Sequence, residues 1–343
     1  MGCLFRLGGL SGVALRAKLL VGQSSGGDVA TLAEMFGAGA GGQTLLGLPA
    51  CRDLSRMVAD IAVIGAAGCT PYPSVGFYCA GGPAAIREAG AGYAAALGHF
   101  NFDLGGVTLP EGVVAVDAGD LPQDPLDAAG NRGRIFGAVS QVLDRGAVPL
   151  LIGGDDSLPI PMLEAYGARG RSFTILQIDA HIDWRDEVQG ERLGLSSTMR
   201  RASEMGHVGQ IIQIGQRGLG SARAGDVQDA LDWGVSFIPA GEVARSGVWQ
   251  AVDLIPEGAE VIICLDVDAF DPSIMPGVIG RTAGGLGYWQ VLELIGAVAE
   301  KAEIAGMDVV EFMPERDIDG QGALLVAQLL ASVLGIIGRQ RQA

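Results

Sequence analysis

The sequence predicts an α/β protein: one domain built on a parallel sheet of about eight strands, with helices on both faces. Three observations carry this. Short, continuous apolar runs alternate along the chain with helix-like stretches, and strands covered on both faces read as unbroken hydrophobic runs. No Pro- or Ser-rich linker interrupts that alternation after about residue 47, so a single domain is expected over 48–343, preceded by a glycine-rich arm over 1–47. Four polar segments follow strand candidates directly, and open α/β sheets bind ligands beyond the carboxyl ends of their strands.

The strand candidates, in order, are Ile61–Gly65, Val113–Asp117, Val148–Ile152, Phe173–Asp179, Gln210–Ile214, Val235–Ile238, Val261–Leu265 and Ile304–Val310. Helical patterns lie between them at Pro83–Leu97, Arg132–Arg145, Ala222–Trp233, Tyr288–Lys301 and Gly322–Ile337. The polar segments at the strand ends are Gly153–Ser157, Asp179–Asp186, Asp266–Gly277 and Glu311–Asp317. Their convergence on one place says more than any one of them alone. No internal repeat is visible.

Composition narrows the function classes. At 343 residues the chain can bury a large core. With 49% hydrophobic and 18% charged residues it is no disordered chain. A formal net charge of −16, with only 23 Lys and Arg, argues against nucleic acid and suits a small cationic substrate. The five cysteines, Cys3, Cys51, Cys69, Cys79 and Cys264, form neither a disulfide framework nor zinc-ribbon spacing, so a reducing cytoplasm is expected. The first 27 residues carry Arg6, Arg16 and Lys18 without an acid. They lack the continuous apolar stretch of a signal peptide, and Arg6 stands where a myristoylation signal has Ser or Thr. No run is expected to span a membrane.

Two segments concentrate the chemistry: Asp179-Ala180-His181-Ile182-Asp183 and Asp266-Val267-Asp268-Ala269-Phe270-Asp271-Pro272. Carboxylates this dense at a strand end repel one another unless a cation lies between them. Alternate strand positions point the same way, so Asp179, His181 and Asp183 can converge, as can Asp266 and Asp268. Four carboxylates and one imidazole suffice for two divalent ions, and two adjacent metals generate a hydroxide nucleophile at neutral pH. A lone Asp-x-Asp is usually a solvated turn or a helix cap. Two such clusters, each closing an apolar strand, point instead to a dinuclear metallohydrolase.

In this order, the segments resemble those of the ureohydrolases: arginase, agmatinase, guanidinobutyrase and formiminoglutamase. The family's Gly-Gly-Asp-His-Ser appears as Gly153-Gly154-Asp155-Asp156-Ser157. Its Asp-Ala-His-x-Asp is Asp179 to Asp183, its Asp-x-Asp-x-x-Asp-Pro is Asp266 to Pro272 with Pro276-Gly277 beyond, and its late glutamate matches Glu311. Gly81–Ala89 and Gln213–Gly218 resemble the agmatinase/guanidinobutyrase branch, and the similarity runs from about Ile61 to Ile337.

The resemblance implies an arginase-like fold and two divalent cations, Mn²⁺ first and Ni²⁺ as alternative. One would be held by Asp156, Asp179, Asp183 and Asp266, the other by His181, Asp179, Asp266 and Asp268. A hydroxide bridging them would cleave a C–N bond of a guanidino compound (agmatine, a guanidino acid, guanidine or a biguanide). Asp183 would carry the proton to the leaving nitrogen and Glu311 would orient the substrate cation. Asp155 and Asp271 would support the ligands and their loops. A trimer or hexamer is implied. The alternative is a weak or inactive subunit that assembles with an active paralogue.

Two positions depart from the family pattern. Asp156 replaces the first ligand histidine, so five carboxylates face two dications, leaving one net negative charge where the histidine version would be neutral. An all-oxygen first site favours Mn²⁺. The agmatinase loop Ser-His-Gly-Thr is replaced by Gly194-Leu195-Ser196-Ser197-Thr198-Met199-Arg200-Arg201, without its proton-shuttling histidine. Ser196 and Ser197 are candidates to position water or substrate, although neither replaces an imidazole near pH 7. His99 and His207 read as local packing or surface residues. Cys69, Tyr72, Tyr78 and Cys79 wall the pocket or pack in the core, Trp184 and Arg185 would shape the substrate's tail end, and Arg200-Arg201 would bind a carboxylate or form a subunit salt bridge.

Overall fold

The computed structural model describes residues 44–220 and 222–342. Most of the expected arm, residues 1–43 with Cys3, Arg6, Arg16 and Lys18, lies outside the described residues. Its last part, Thr44–Gly47, enters the body, where Leu45 and Leu46 are fully buried in the core.

The strands are β1 Ile61–Gly65, β2 Phe100–Asn101, β3 Gly106–Val107, β4 Ala115–Asp120, β5 Val148–Ile152, β6 Phe173–Ile178, β7 Val208–Ile214, β8 Ser236–Ile238, β9 Glu260–Asp266 and β10 Glu303–Val310. Eight of them form one sheet in the order β4-β1-β5-β10-β9-β6-β7-β8, parallel at every pairing. The short antiparallel hairpin β2–β3 stands apart from it.

Alternation along each strand divides the core into two layers. Val63, Leu150, Leu176, Ile212 and Ile263 face one side and pack under the helices Tyr288–Lys301 and Gln321–Gln340. Ile64, Leu151, Ile175, Ile211 and Ile262 face the other, under the helices Ala128–Asp144 and Pro159–Ala165. The α/β architecture expected from the unbroken apolar runs is therefore the one observed. Each fully buried Leu or Ile contributes roughly 1.5–3 kcal/mol, and β1, β5 and β6 are buried throughout.

Some expectations change. The helix Gln321–Gln340 has 20 residues and an 18-residue window of mean hydropathy 1.8, so this run is long and apolar enough to cross a membrane by length and composition. Its apolar window is 72% buried inside the domain, as befits a core helix. The helix expected over Pro83–Leu97 is α-helical only over Gly82–Gly90 and continues as a 3₁₀ helix over Ala91–Ala96; an added Cβ on Gly90 would crowd Leu46 at 3.3 Å.

The strand expected over Val113–Asp117 is β4, Ala115–Asp120, which runs on past Asp117 because the protein satisfies that aspartate. The Asp117 carboxylate is fully buried and accepts from Arg87 Nε at 2.8 Å and Nη2 at 3.0 Å, from the Leu45 amide at 2.6 Å and from the Gly119 amide at 2.7 Å. One ion pair thus joins the helix Gly82–Gly90, β4 and the start of the described chain. Replacing Arg87 with Met would leave the Asp117 charge buried with amide donors only. Such a loss costs about 3–5 kcal/mol, so urea unfolding of Arg87→Met should show a midpoint lowered with an unchanged slope.

Candidate active site

The four central strands β5, β10, β9 and β6 are neighbours in the sheet, and each ends in one of the four polar segments. The loop after β5 is fastened first. Gly153 donates to Val309 O at 2.7 Å and Glu311 donates to Gly154 O at 2.7 Å, closing β5 onto β10. A Cβ on Gly154 would stand 2.1 Å from Ala67 O, so only glycine admits this approach to the loop after β1. Asp155 accepts from the Cys69 amide at 3.1 Å and from the Ser157 hydroxyl, and Ser157 Oγ accepts from Thr70 N at 2.7 Å. Asp155 therefore supports the loops.

Around this frame the acids converge. Asp156, Asp179 and Asp183 bring one oxygen each within 4.8 Å of one another, and so do ligand atoms of Asp179, His181, Asp266 and Asp268. Asp179 belongs to both groups; Asp266 joins only the second. Backbone and amide donors hold the set open. The His181 amide donates to Asp179 Oδ1 at 2.6 Å, Ala180 N to Asp268 Oδ1 at 3.2 Å, and Asp268 N to Asp266 Oδ1 at 2.7 Å. Gln177 Nε2 donates to Asp179 Oδ2 and to Asp183 Oδ2, both at 2.7 Å, and Gln213 in turn donates to Gln177. Neither glutamine stands out as a support from sequence. Gln177 precedes Asp179 by two, the strand spacing that puts both side chains on one side, and that is the signal available.

Electrostatics reports the strain of this crowding. Burial first, then the neighbouring Asp183 and Asp179, pushes Asp156 well above the carboxylate range. Burial and Asp179 do the same to Asp183, and burial and Asp268 to Asp266. Burial depresses His181, but its contacts with Asp179 at 3.3 Å and Asp268 at 3.1 Å prevail and its pKa is pushed up to about 12. The imidazolium proton sits where a cation is wanted. Asp156 Oδ2 is buried and meets no hydrogen-bond partner. An unpartnered buried carboxylate oxygen in a group of acids fits a divalent cation, and the oxygen-rich donor set suits a hard one.

Asp183 and Glu311 have positive φ, 43° and 70°. Non-glycine residues adopt this region at a cost and concentrate at functional sites. Glu311 is buried, accepting from the Asp156 amide at 2.9 Å and from the Tyr78 hydroxyl. A cavity of about 190 Å³ opens over these groups, walled by Tyr78, Ile182, Trp184, Leu195, Ser196 and Ile279, with Arg185 and Asp226 among its lining residues.

The remaining candidates separate. Ser196 lines the pocket, whereas Ser197 is fully buried off the lining. Arg185 is ion-paired with Asp226. Asp271 accepts from Ser273 N at 2.9 Å and steadies its own turn. Arg217, within a motif read only for resemblance, donates to the carbonyls of Asp268 at 2.7 Å and Phe270 at 3.0 Å and clamps the β9 loop. His207 bonds Leu163 O at 2.8 Å and meets Phe173 edge-on, a packing role. His99 borders a different groove. Arg200 and Arg201 pair within the chain, to Glu204, Asp229 and Asp186. Cys69 and Cys79 are buried.

A parallel eight-stranded sheet carrying an acidic cluster with one histidine at its strand ends defines an α/β protein with the architecture of the arginase fold. Residues 59–335 match the Arginase family, and the chain belongs to it. It is 33% identical over 198 residues to an N(1)-aminopropylagmatine ureohydrolase of Thermus thermophilus, a match covering 58% of this chain and 65% of that protein, just under two thirds of its length. It is 30% identical over 266 residues to the mitochondrial guanidino acid hydrolase of Homo sapiens, covering 74% of this chain and 71% of that one. The structure of proclavaminate amidino hydrolase from Streptomyces clavuligerus superposes with a TM-score of 0.73 at 28% identity, covering 87% of this chain and 97% of the other.

The Gly154 contact can be tested directly. Gly154→Ala must displace Ala67 or the loop that carries Asp155 and Asp156, and overpacking of this kind costs about 1–3 kcal/mol. Thermal unfolding of the metal-free chain should show the loss; an unchanged Tm would mean the loop relaxes freely.

Proposed function

We propose that the chain is a metal-dependent hydrolase that cleaves a C–N bond of a guanidino compound. The observation that carries this is the double carboxylate group sharing Asp179. Asp156, Asp179, Asp183 and Asp266 would hold one divalent ion, and His181, Asp179, Asp266 and Asp268 the other, with Mn²⁺ favoured by the oxygen donors and Ni²⁺ the alternative. When bound, the two ions would supply Lewis acidity and a water acidified enough to act as a nucleophile near neutral pH. The protein's own groups do the rest. Glu311 holds the planar cation by its carboxylate fork. Asp183, tied to Gln177, carries a proton from the attacking water to the departing nitrogen. Water oxygen joins the guanidinium carbon, the C–N bond breaks, and urea leaves together with an amine, or with ammonia where the substrate is guanidine itself. Trp184, Ile182 and Leu195 exclude bulk water from the reacting carbon.

The rim supports a narrower substrate class. An ammonium tail would need a free carboxylate, and a carboxylate tail a free arginine. Among the described lining residues, Asp226 and Arg185 neutralise one another. A cavity of about 190 Å³ also lies below the usual range of roughly 300–1,000 Å³ for ligand pockets. We therefore place guanidine and guanidines with short, uncharged tails ahead of agmatine and the guanidino acids.

The purified chain loaded with Mn²⁺ should approach two ions per polypeptide by elemental analysis, and urea release should be fastest on the small neutral-tailed compounds. Metal content near zero in a folded chain would favour the inactive partner-subunit reading. Asp266→Asn should lower metal affinity by on the order of 10–100-fold or more, given that loss of an outer supporting group already costs that much; wild-type metal content and turnover would show the assigned ligands to be wrong.

Asp156→His restores a neutral cage. It should alter the first site most, so titration of the apoprotein should show a larger change in one of the two Mn²⁺ affinities than in the other. Two unchanged affinities would mean that Asp156 does not touch the metal.

A further inference from the structure

The hydroxyl of Tyr78 lies 2.5 Å from Glu311 Oε1 and 2.7 Å from Oε2. A donor nearly equidistant from both oxygens sits on the open side of the carboxylate fork. That is the seat a guanidinium needs for two parallel N–H···O bonds. One of the two oxygens carries a second donor as well, since Asp156 N donates to Oε1 at 2.9 Å. A carboxylate offers about four lone-pair sites, and with the phenol in place no pair of sites on the open side is left for a bidentate cation. Burial and the Glu311 charge push the Tyr78 pKa far above its ordinary value, so the phenol stays a donor.

We infer that Tyr78 is a latch on Glu311, displaced by the guanidinium substrate and returning when the neutral product forms. This rests on the reading that Glu311 receives the guanidinium. The energetic order follows from charge. A guanidinium brings a positive charge and two N–H donors to the fork, and charge-assisted bidentate pairs are about twice as strong as neutral ones. It can dislodge a single phenol. Urea has comparable N–H groups but no charge, so its hold on the carboxylate is closer to the phenol's own. Once the C–N bond breaks, the phenol competes on near-equal footing and reclaims the fork. The latch thus weakens binding of substrate and product together, but matters more for release of the product.

The segment bearing Tyr78 has the freedom this demands. Pro73, Ser74 and Val75 are exposed, and Gly76 has φ of 61° with open space beside it. Tyr78 itself is mostly buried but borders the cavity, into which it can swing. Tyr72, from the same loop, is instead held down: its hydroxyl accepts from Ser196 N at 3.2 Å.

The test compares the Mn²⁺-loaded wild type with Tyr78→Phe by calorimetric titration with millimolar guanidinium chloride and, separately, with urea. Loss of one hydrogen bond to a charged group predicts tighter binding of both by on the order of tenfold. In steady state, Tyr78→Phe should show a lower KM and stronger inhibition by urea. Tyr78→Leu, which also lacks the hydroxyl, should reproduce the tighter binding and stands in if the phenylalanine variant misfolds. Equal or weaker binding of guanidinium by both variants, or no binding to any form, would overturn the latch. Guanidinium binding that responds to Tyr78 without urea release from any guanidino compound would support the latch while sinking the hydrolase reading.

Discussion

Mutual repulsion among five carboxylates at one end of the sheet is the constraint around which this protein is arranged. Asp156, Asp179, Asp183, Asp266 and Asp268 lie in two overlapping groups whose ligand atoms fall within 4.8 Å. At such separations each like-charged pair costs on the order of 4 kcal/mol at an effective dielectric near 20. His181 is the one cationic side chain within those groups. The restraint comes from backbone amides and from Gln177, and those donors keep their aim because Gln177 stands on β6 and the amides follow directly from the ends of β6 and β9, buried strands of the sheet. The sheet is the stiff part that lets its own ends be strained. Asp183 and Glu311, at the ends of that site, hold a positive φ.

Much of this was legible in the sequence because it depends on local pattern. The unbroken apolar runs placed the main strands to within a few residues, since a strand covered on both faces has little other composition open to it. The density of aspartate after β6 and β9 marked the cluster, because carboxylates so crowded repel one another unless a cation lies between them. What escaped depends on partners far along the chain. The continuation of β4 through Asp117 needs Arg87, which is 30 residues away. Gln177 looks like an ordinary polar interruption of a strand until Asp179 and Asp183 are seen to share its amide. Tyr78 and Glu311 are separated by 233 positions, and no spacing rule joins them. Neighbouring serines were equivalent by type, but a 3₁₀ turn over Leu195–Ser197 presents Ser196 to the pocket and turns Ser197 inward.

The helix Gln321–Gln340 teaches a related lesson about composition. It would pass for a membrane span by length and hydropathy, yet it packs against the helix Gly82–Gly90 and the helix Tyr288–Lys301 over one face of the sheet. A helix sandwiched in a layered α/β core is apolar nearly all round. Context, not hydropathy, assigns it.

Position 156 shows how the same architecture tolerates a change in its most consequential acid. The backbone there is held at both ends, by its amide to Glu311 and by its carbonyl, which accepts from Thr198 Oγ1. Neither bond involves the side chain. Exchanging an imidazole for a carboxylate therefore changes the donor offered to the cluster without moving the residue or releasing Glu311. The added charge is moderated from behind. Asp308, on β10 beside Cys264 of β9, is fully buried and burial pushes its pKa up to about 8, so at neutral pH it is mainly uncharged. Raised in this way, Asp308 adds less to the repulsion above it than an ordinary carboxylate would. At this one residue a main-chain donor holds Glu311 and the side chain sets the charge, which is why the two can vary independently.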